Sequence, residues 1–362
     1  MRIIFDLDDT IQQASFRDYP HAIPYNGVIE RIREAHKMGA TIIISTARGM
    51  LSCAGDVEKA DQKNRKTIEV WLKENDVPYD ALYFGKQMGD FYVDDKALSP
   101  QEVQEHGIRK MTGFSGQEVW KVGKRVHKYC ENADEVAVWY KQATEIGRGF
   151  FIVPKVFSYR NGNMQMEYIE GTLLEDEIDV SFVDYVTNIL RLFEQTPVFG
   201  KNDKNEYYKY VLGKATSAMD DASVQRVGEV LAEDLQERNG FSRATFCHGD
   251  MSAQNIIRAK YGLALIDPCV RKWNTWMLDA AKFRASLNGL GAAIGNGKTY
   301  EHLLPLYDAQ FTEEELAEII ALELTHYIRI LPYAIKSGKK KAERVLKDLI
   351  NRQIWKEEKT KG

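Results

Sequence analysis

The sequence predicts an α/β protein in two parts: an amino-terminal domain with a doubly wound parallel sheet, followed by a two-lobed α+β domain. Apolar strand and helix patterns alternate over about the first hundred residues, which is typical of a parallel sheet flanked by helices. A predicted hairpin, a helix and further strands come next, and apolar stripes at helical spacing fill the carboxyl-terminal part. A chain of 362 residues is long enough for two or three domains.

The composition is that of a folded protein without a nucleic-acid or membrane partner. Hydrophobic residues make up 44% of the chain and charged residues 28%, and the net charge is -4. No segment approaches the roughly 20 apolar residues that span a bilayer, and Asp6 interrupts any signal-peptide core at the start. The four cysteines lack paired spacing, which favours reduced thiols. The sequence therefore predicts a cytoplasmic protein.

Acidic and polar side chains follow the predicted strands of the first part, at the point where each strand ends. The predicted strands are residues 2–5, 40–44, 81–84 and 91–93, and the predicted helices are residues 28–37 and 64–75. The residues that follow the strands are Asp6, Asp8, Thr46, Asp94 and Asp95. Parallel strands bring their carboxyl ends to one sheet edge, where ligands bind. Carboxylates gathered there repel one another unless a hard cation such as Mg²⁺ binds them.

The motifs that carry these residues are Asp6-Leu7-Asp8-Asp9-Thr10, Ser45-Thr46-Ala47-Arg48, Gly85-Lys86 and Tyr92-Val93-Asp94-Asp95-Lys96. In this order they resemble the haloacid dehalogenase-like (HAD-like) phosphatases, and among these the capsule-biosynthesis branch. The resemblance covers about residues 1–100 and implies a nucleophile at Asp6, an acid and base at Asp8, and phosphoryl-binding roles for Thr46 and Lys86. It also implies that Asp6, the Asp8 carbonyl, Asp94 and Asp95 bind Mg²⁺. The gaps between the motifs leave no room for a cap domain, so an uncapped site is predicted.

The second part begins with a strand-rich segment. Strand patterns at Glu118 to Val122 and Arg125 to Cys130 flank Gly123-Lys124 and predict a hairpin. A helix over residues 133–146 and strands over 150–159 and 163–168 follow. Further on, Cys247-His248-Gly249-Asp250 precedes Asn255, and an apolar strand over 263–266 ends in Asp267. A loop with this spacing can present a carboxylate to an acceptor hydroxyl and an amide oxygen to a metal ion.

These features resemble aminoglycoside-phosphotransferase and choline-kinase-like small-molecule kinases over about residues 110–355. The resemblance implies that Asp250 orients the acceptor hydroxyl and that Asn255 and Asp267 bind Mg²⁺. It also implies that Lys128 contacts the phosphates of the donor nucleotide, ATP or else GTP, with Glu135 or else Glu131 as its partner. Glu167 and Tyr168 lie in the segment where adenine would bind. Gly249 stands where protein kinases carry arginine, which favours a small-molecule acceptor.

The predicted domains are residues 1–105 for the phosphatase, 110–172 for the kinase-like amino-terminal lobe and 173–362 for the helical lobe. The predicted function is a bifunctional Mg²⁺-dependent phosphatase and ATP-dependent kinase acting on sugars, polyols or amino alcohols, in bacterial capsule or surface-polysaccharide precursor synthesis. One alternative is a phosphatase regulated by a nucleotide-binding pseudokinase domain. Another is a polynucleotide end-processing enzyme, which the acidic composition and the lack of a basic stripe disfavour.

Overall fold

The computed structural model describes residues 1–14, 18–87, 89, 96–112, 118–160, 162–198, 203–238, 244–270, 273–295 and 297–355. The predicted strand at 91–93 and the predicted metal ligands Asp94 and Asp95 lie outside these residues. The chain divides into two compact units, the first formed by Met1–Ala133 with Val156–Tyr168 and the second by Asp134–Lys155 with Ile169–Gly362. The domain boundaries predicted at residues 105 and 172 stay predictions.

The elements up to residue 168 alternate at first and then become mostly strands. In chain order they are β1 (Arg2–Asp6), β2 (Gln12–Gln13), β3 (Ile23–Pro24), α1 (Asn26–Lys37), β4 (Thr41–Thr46), α2 (Val57–Glu74), β5 (Ala81–Phe84), α3 (Pro100–His106), β6 (Ile108–Thr112), β7 (Glu118–Val122), β8 (Arg125–Tyr129), α4 (Ala133–Ile146), β9 (Val156–Arg160) and β10 (Asn163–Glu167).

A parallel sheet with the order β1-β4-β5 forms the base of the first site. Asp6 is in register with Ser45, and Thr46 with Phe84, so the three strands end at the same edge. The α1 helix covers the sheet through an apolar face whose residues recur at helical spacing: Val28, Ile29, Ile32 and Ala35. The α2 helix begins at Val57 because the Asp56 side chain caps its amino end, seven residues before the predicted start.

The predicted hairpin of β7 and β8 lies inside a five-stranded antiparallel sheet with the order β6-β7-β8-β10-β9. Gly123 turns the hairpin with a φ of 60°, a conformation that glycine adopts without strain. Trp120 of β7 is 1% exposed and belongs to the same buried cluster as Phe5 and Ile42 of the parallel sheet. The two sheets of the first unit therefore share one hydrophobic core.

The second unit is mainly helical. After residue 168 the elements are β11 (Gly171–Leu173), α5 (Val180–Glu194), α6 (Lys204–Thr216), α7 (Asp221–Glu237), β12 (Ile256–Ala259), β13 (Gly262–Leu265), α8 (Trp276–Ala285), α9 (Gly291–Ile294), α10 (Leu304–Asp308), α11 (Glu313–Lys336) and α12 (Lys340–Ile354). The strands β11, β12 and β13 pair antiparallel. Within the described part of the chain, none of the helices has the length and apolar character needed to cross a lipid bilayer.

The α8 and α11 helices form the centre of the second unit, and every residue of α8 is buried. The 24-residue α11 begins with a capping box, in which the Thr312 hydroxyl accepts the Glu315 N–H and the Glu315 carboxylate accepts the Thr312 N–H. This reciprocal pair satisfies two backbone donors that the first turn would otherwise leave unpaired. The cap therefore defines where the longest helix begins.

We expect Thr312→Ala to lower the free energy of unfolding by about 1 kcal/mol, because the mutation removes the side-chain half of this capping box. Urea denaturation followed by circular dichroism measures the change. Thr216→Ala is the matched control, since Thr216 lies in the last turn of α6 and its hydroxyl bonds back to the Leu212 carbonyl. Equal effects of the two substitutions would contradict the capping role.

Candidate active sites

The first site lies at the edge where β1, β4 and β5 end, and consists of Asp6, Asp8, Thr46, Arg48 and Lys86. Lys86 follows β5, and its N–H donates to the Thr46 carbonyl at 3.2 Å. This bond extends the sheet by one step and brings Lys86 Nζ to 3.0 Å from Asp6 Oδ2. The structure therefore brings together a carboxylate and an ammonium group that are eighty residues apart in sequence.

Arg48 is the residue of this site to which the sequence assigned no role. Its Nη2 pairs with Asp8 Oδ1 and its Nε donates to Asp8 Oδ2 at 3.2 Å, a two-point ion pair. The Arg48 N–H also donates to Thr46 Oγ1 at 3.0 Å, and Thr46 is fully buried. The Arg48 side chain is 1% exposed, and its Nη1 is buried without a hydrogen-bond partner. A buried donor of this kind favours an anion.

The oxygen donors of the first site suit Mg²⁺, which prefers carboxylate and carbonyl oxygens. Asp6 ends β1, and the Asp8 carbonyl lies two residues further on. The other two predicted ligands, Asp94 and Asp95, are not among the described residues. Searched over the described residues alone, the chain shows no group of three or more His, Cys, Asp or Glu side chains placed to hold a metal ion. The magnesium prediction therefore rests on the donor chemistry of Asp6 and Asp8.

The second site is built on the loop that contains His248, Gly249 and Asp250. Asp279 of α8 binds this loop through hydrogen bonds. The Asp279 carboxylate has no exposure, and it accepts the N–H of His248 at 2.5 Å and the N–H of Gly249 at 2.8 Å. Burial raises the pKa of Asp279 to about 7, although these two backbone donors act in the opposite direction. Thr275, not Asp279, caps α8. The Asp279 carboxylate therefore binds the loop.

Gly249 explains why this loop departs from the protein-kinase pattern. Its φ is 78°, which favours glycine, and a Cβ atom there would lie 2.1 Å from the Cys269 carbonyl oxygen. Cys269 in turn donates its N–H to the His248 carbonyl at 2.9 Å. The loop and the segment after Asp267 therefore pack backbone against backbone, so an arginine does not fit at position 249.

Asp250 is held by two partners from different directions. Lys282 Nζ of α8 lies 2.9 Å from Asp250 Oδ1, and Asn255 Nδ2 donates to Asp250 Oδ2 at 3.0 Å. Burial acts to raise the pKa of Asp250, but the charge and hydrogen bond of Lys282 outweigh it, so the pKa lies well below its ordinary value. The carboxylate is therefore ionised at neutral pH, and it is 37% exposed. Both properties suit a group that could accept a proton.

Asn255 and Asp267 come together through the backbone. The Ile266 N–H donates to the Asn255 carbonyl at 2.9 Å, and Asp267 follows directly. The Asn255 amide nitrogen is used by the Asp250 carbonyl and carboxylate, which leaves its Oδ1 as the atom that could bind a cation. Asp267 is exposed and has a φ of 59°. A carboxylate and an amide oxygen in this arrangement fit Mg²⁺.

The predicted nucleotide-binding residues belong to different units. Lys128 is 7% exposed near the end of β8, Glu167 ends β10 and Tyr168 follows it, all in the first unit. Glu135 lies in the first turn of α4 and belongs to the second unit. The Tyr168 N–H donates to the Lys124 carbonyl at 2.8 Å, so this donor is already used. The nucleotide roles of these residues stay predictions.

Sequence reasoning missed Lys282 and the role of Arg48. Arg48 belongs to the motif Ser45-Thr46-Ala47-Arg48 and lies two residues after Thr46. This position just after a predicted strand could have indicated that Arg48 belongs to the site. Lys282 follows Asp279 by three residues on α8, so the two share a helix face. No local pattern distinguishes Lys282 from an ordinary helix lysine. Only the packing of α8 under the loop reveals it.

Two solved structures share a fold with this chain at a TM-score of 0.50. One is an aminoglycoside phosphotransferase in complex with GDP and kanamycin, 11% identical, whose match covers 70% of this chain and 97% of that protein. The other is the choline kinase LicA from Streptococcus pneumoniae, 13% identical, with 70% and 96% covered. The chain therefore contains a protein-kinase-like domain of the fold found in small-molecule kinases.

A third solved structure is an MCSG target from Vibrio cholerae, which is 40% identical to this chain. The match covers 28% of this chain and 86% of that protein, with a TM-score of 0.28. Its name states no activity and assigns none here. No protein-family model matches the chain, and no curated protein matches it. A phosphatase fold for residues 1–105 stays a prediction.

We expect Asp279→Ala to destabilise the second unit by about 2–6 kcal/mol, because the N–H groups of His248 and Gly249 would lose their buried acceptor. Thermal unfolding and hydrogen exchange of the loop amides measure the effect. Asp348→Ala is the control, since Asp348 is 57% exposed on α12. Unchanged exchange at His248 and Gly249 in the Asp279 variant would contradict this role.

Proposed function

We propose that the chain is a bifunctional enzyme, with a Mg²⁺-dependent phosphatase in residues 1–105 and an ATP-dependent small-molecule kinase in the remainder. The observation that carries the proposal is that each predicted reactive carboxylate is paired with a cation inside its own unit: Asp6 with Lys86, Asp8 with Arg48, and Asp250 with Lys282. Phosphoryl transfer needs such cations, because the transferred group is negatively charged.

In the phosphatase reaction, Asp6 attacks the phosphorus atom of a phosphate monoester and forms an aspartyl-phosphate. Lys86 Nζ, 3.0 Å from Asp6, and the unpartnered Nη1 of Arg48 would receive the phosphoryl oxygens. Asp8 would protonate the leaving oxygen and then take a proton from the water that hydrolyses the intermediate. Mg²⁺ bound at Asp6 and the Asp8 carbonyl would supply further charge neutralisation.

In the kinase reaction, the acceptor hydroxyl oxygen attacks the γ-phosphorus of ATP. The new O–P bond replaces the bond to the β,γ-bridging oxygen, ADP leaves, and the hydroxyl proton passes to Asp250. Asn255 fixes one carboxylate oxygen of Asp250 and Lys282 the other. Mg²⁺ held by Asn255 Oδ1 and Asp267 would neutralise the nucleotide phosphates. The GDP in the aminoglycoside phosphotransferase structure supports a nucleotide donor for this fold.

The two reactions would be futile if both acted on one ester bond, since the result would be hydrolysis of ATP alone. We therefore propose that the phosphatase removes phosphate from one position or molecule and the kinase adds it at another, as in the preparation of bacterial surface-polysaccharide precursors. The ion pair of Asp250 with Lys282 and the amide contact of Asn255 favour an active kinase over a pseudokinase regulator.

We expect Asp6→Asn to lower the kcat for hydrolysis of p-nitrophenyl phosphate by roughly a thousandfold or more, because the nucleophile is lost. ATP binding, measured by fluorescence titration, should remain unchanged. Glu30→Gln is the matched control, since Glu30 is exposed on α1. Full hydrolysis by the Asp6 variant would refute the phosphatase assignment.

We expect Asp250→Asn to lower acceptor phosphorylation by roughly a hundredfold or more while leaving ATP binding intact, because only the proton acceptor changes. Asp267→Asn should weaken binding of Mg²⁺-ATP, and chelation of Mg²⁺ should stop both activities. ADP release in a coupled assay measures the rates. Asp134→Asn, an exposed position on α4, is the control. If Asp250→Asn altered phosphatase turnover and no kinase activity existed, the pseudokinase alternative would stand.

A further inference from the structure

The first unit carries an open groove of about 450 Å³ between the carboxyl-terminal half of α1 and the antiparallel strands β6 and β7. All of its lining residues belong to this one unit. Arginine, lysine and glutamate side chains border the groove, which we call the basic groove: Arg31, Lys37, Arg109, Lys121, Glu34 and Glu105. Four cations and two carboxylates therefore share one cavity.

Two of the cations lie directly opposite each other. Arg109 of β6 and Lys121 of β7 are partners in the antiparallel register, so their side chains share one face of the sheet. Like charges at such positions repel and destabilise the strand pair, because the Cβ atoms are only about 5 Å apart. The Lys121 Nζ lies over the ring of Tyr168, 4.2 Å from its centroid. An anion that contacted both cations would replace their repulsion with attraction.

The two carboxylates of the groove are engaged along their own helices. Glu34 accepts two hydrogen bonds from Arg31 Nη1, at 3.0 Å on one oxygen and 2.8 Å on the other. Glu105 accepts a hydrogen bond from the Gln101 amide at 2.7 Å, and its other oxygen lies 3.9 Å from His106 Nε2. These contacts use Glu34 and Glu105 within α1 and α3.

Lys37 and Arg109 keep positive charge on the two walls of the basic groove. Both side chains are exposed, Lys37 at the end of α1 and Arg109 in β6. Neither side chain forms an ion pair or a hydrogen bond with another described residue. A single exposed lysine is ordinary, but here charges from a helix and from a strand border the same cavity. The groove is therefore suited to an anion that contacts both walls.

The basic groove lies away from the edge of the parallel sheet that carries the first site. Lys37 ends α1, and four residues later Thr41 begins β4 with its N–H on the Met1 carbonyl at 2.8 Å. Asp6 and Thr46 end their strands at the opposite edge. The length of β4 separates the two edges by about 16 Å at roughly 3.3 Å per residue. An anion in the groove is therefore not the group proposed to react at Asp6.

The size and charge of the basic groove fit a small organic phosphate. Small-molecule sites have volumes of about 300–1,000 Å³, and a phosphate monoester carries a charge of about −1.5 to −2 at neutral pH. Guanidinium and ammonium groups form strong charge-assisted hydrogen bonds with phosphate oxygens. Glu34 and Glu105 border the same groove and would repel an extended polyanion such as a nucleic acid, which binds along a continuous basic stripe.

We propose that the basic groove binds a small organic phosphate with two phosphate groups, held by Arg109, Lys121 and Lys37. The ligand contacts α1, which packs on the parallel sheet, and also β6 and β7 of the antiparallel sheet. It therefore joins the two sheets of the first unit. The proposal does not rest on either of the functions proposed above.

The test is isothermal titration calorimetry of the full chain in EDTA, which prevents Mg²⁺-dependent turnover. The probes are fructose 1,6-bisphosphate, fructose 6-phosphate, fructose and citrate. We expect the bisphosphate to bind with a Kd about tenfold or more below that of the monophosphate, because its second phosphate makes further charged contacts. Fructose should give no measurable heat of binding. Citrate should bind more weakly than the bisphosphate, and tighter binding of citrate would overturn the phosphate class.

Substitutions locate the binding. Arg109→Gln and Lys37→Gln should each raise the Kd for the bisphosphate by about tenfold to a hundredfold. Arg109→Gln should leave the unfolding temperature of the ligand-free protein unchanged or higher, because it removes a like charge opposite Lys121. A loss of binding through misfolding is thereby distinguished from loss of the site. Lys66→Gln is the matched control, since Lys66 is exposed on α2 and does not line the groove.

An unchanged Kd in the double variant Arg109→Gln with Lys37→Gln would overturn the proposal, and so would the absence of binding by either phosphate probe. Loss of binding in Lys86→Gln, with the groove variants unaffected, would assign the anion to the first site and overturn it as well. An oligonucleotide that bound more tightly than the bisphosphate, and only with Arg109 and Lys37 intact, would show that the ligand is a polyanion and not a small phosphate.

Discussion

Burial of the Asp279 carboxylate is the constraint on which the second site depends. A carboxylate without exposure needs donors, and a tight loop with Gly249 at positive φ has backbone N–H groups that need acceptors. The Asp279 carboxylate accepts the loop N–H groups, so both requirements are met at once. These hydrogen bonds hold the loop against α8. Because the same helix carries Lys282, fixing the loop also places Asp250 beside its cation. The position of the proposed proton acceptor thus follows from the satisfaction of buried polar groups.

Both sites use the same electrostatic arrangement on unrelated scaffolds. At the end of the parallel sheet, Asp6 and Asp8 each have a cation, and in the helical unit Asp250 has one as well. The proposed phosphoryl chemistry would account for the common arrangement, since a carboxylate and a phosphate group approach each other only where positive charge screens them. In the proposed phosphatase reaction, a phosphoryl oxygen would pair with the Nη1 of Arg48, which is buried and has no hydrogen-bond partner.

The division of the chain into units follows packing and not the order of motifs. Trp120 of the antiparallel sheet is buried with Phe5 and Ile42 of the parallel sheet, which makes one core out of two segments that the sequence separates. The α4 helix, contiguous in sequence with those strands, has Trp139 donating to the Cys247 carbonyl beside the second site. The kinase-like fold itself is shared with solved structures that are only 11% and 13% identical in sequence.

The sequence by itself determined the strands that precede Asp6 and Thr46, the hairpin around Gly123 and the helical character of the carboxyl-terminal part. It also determined the spacing of Asp250, Asn255 and Asp267. These features depend on local periodicity, turn residues and separations along one loop. Only the tertiary structure decided that Arg48 pairs with Asp8 and that Lys282 pairs with Asp250. Those features join residues from different strands and helices, and a side chain's partner depends on which elements pack together. No periodicity along the chain records that packing.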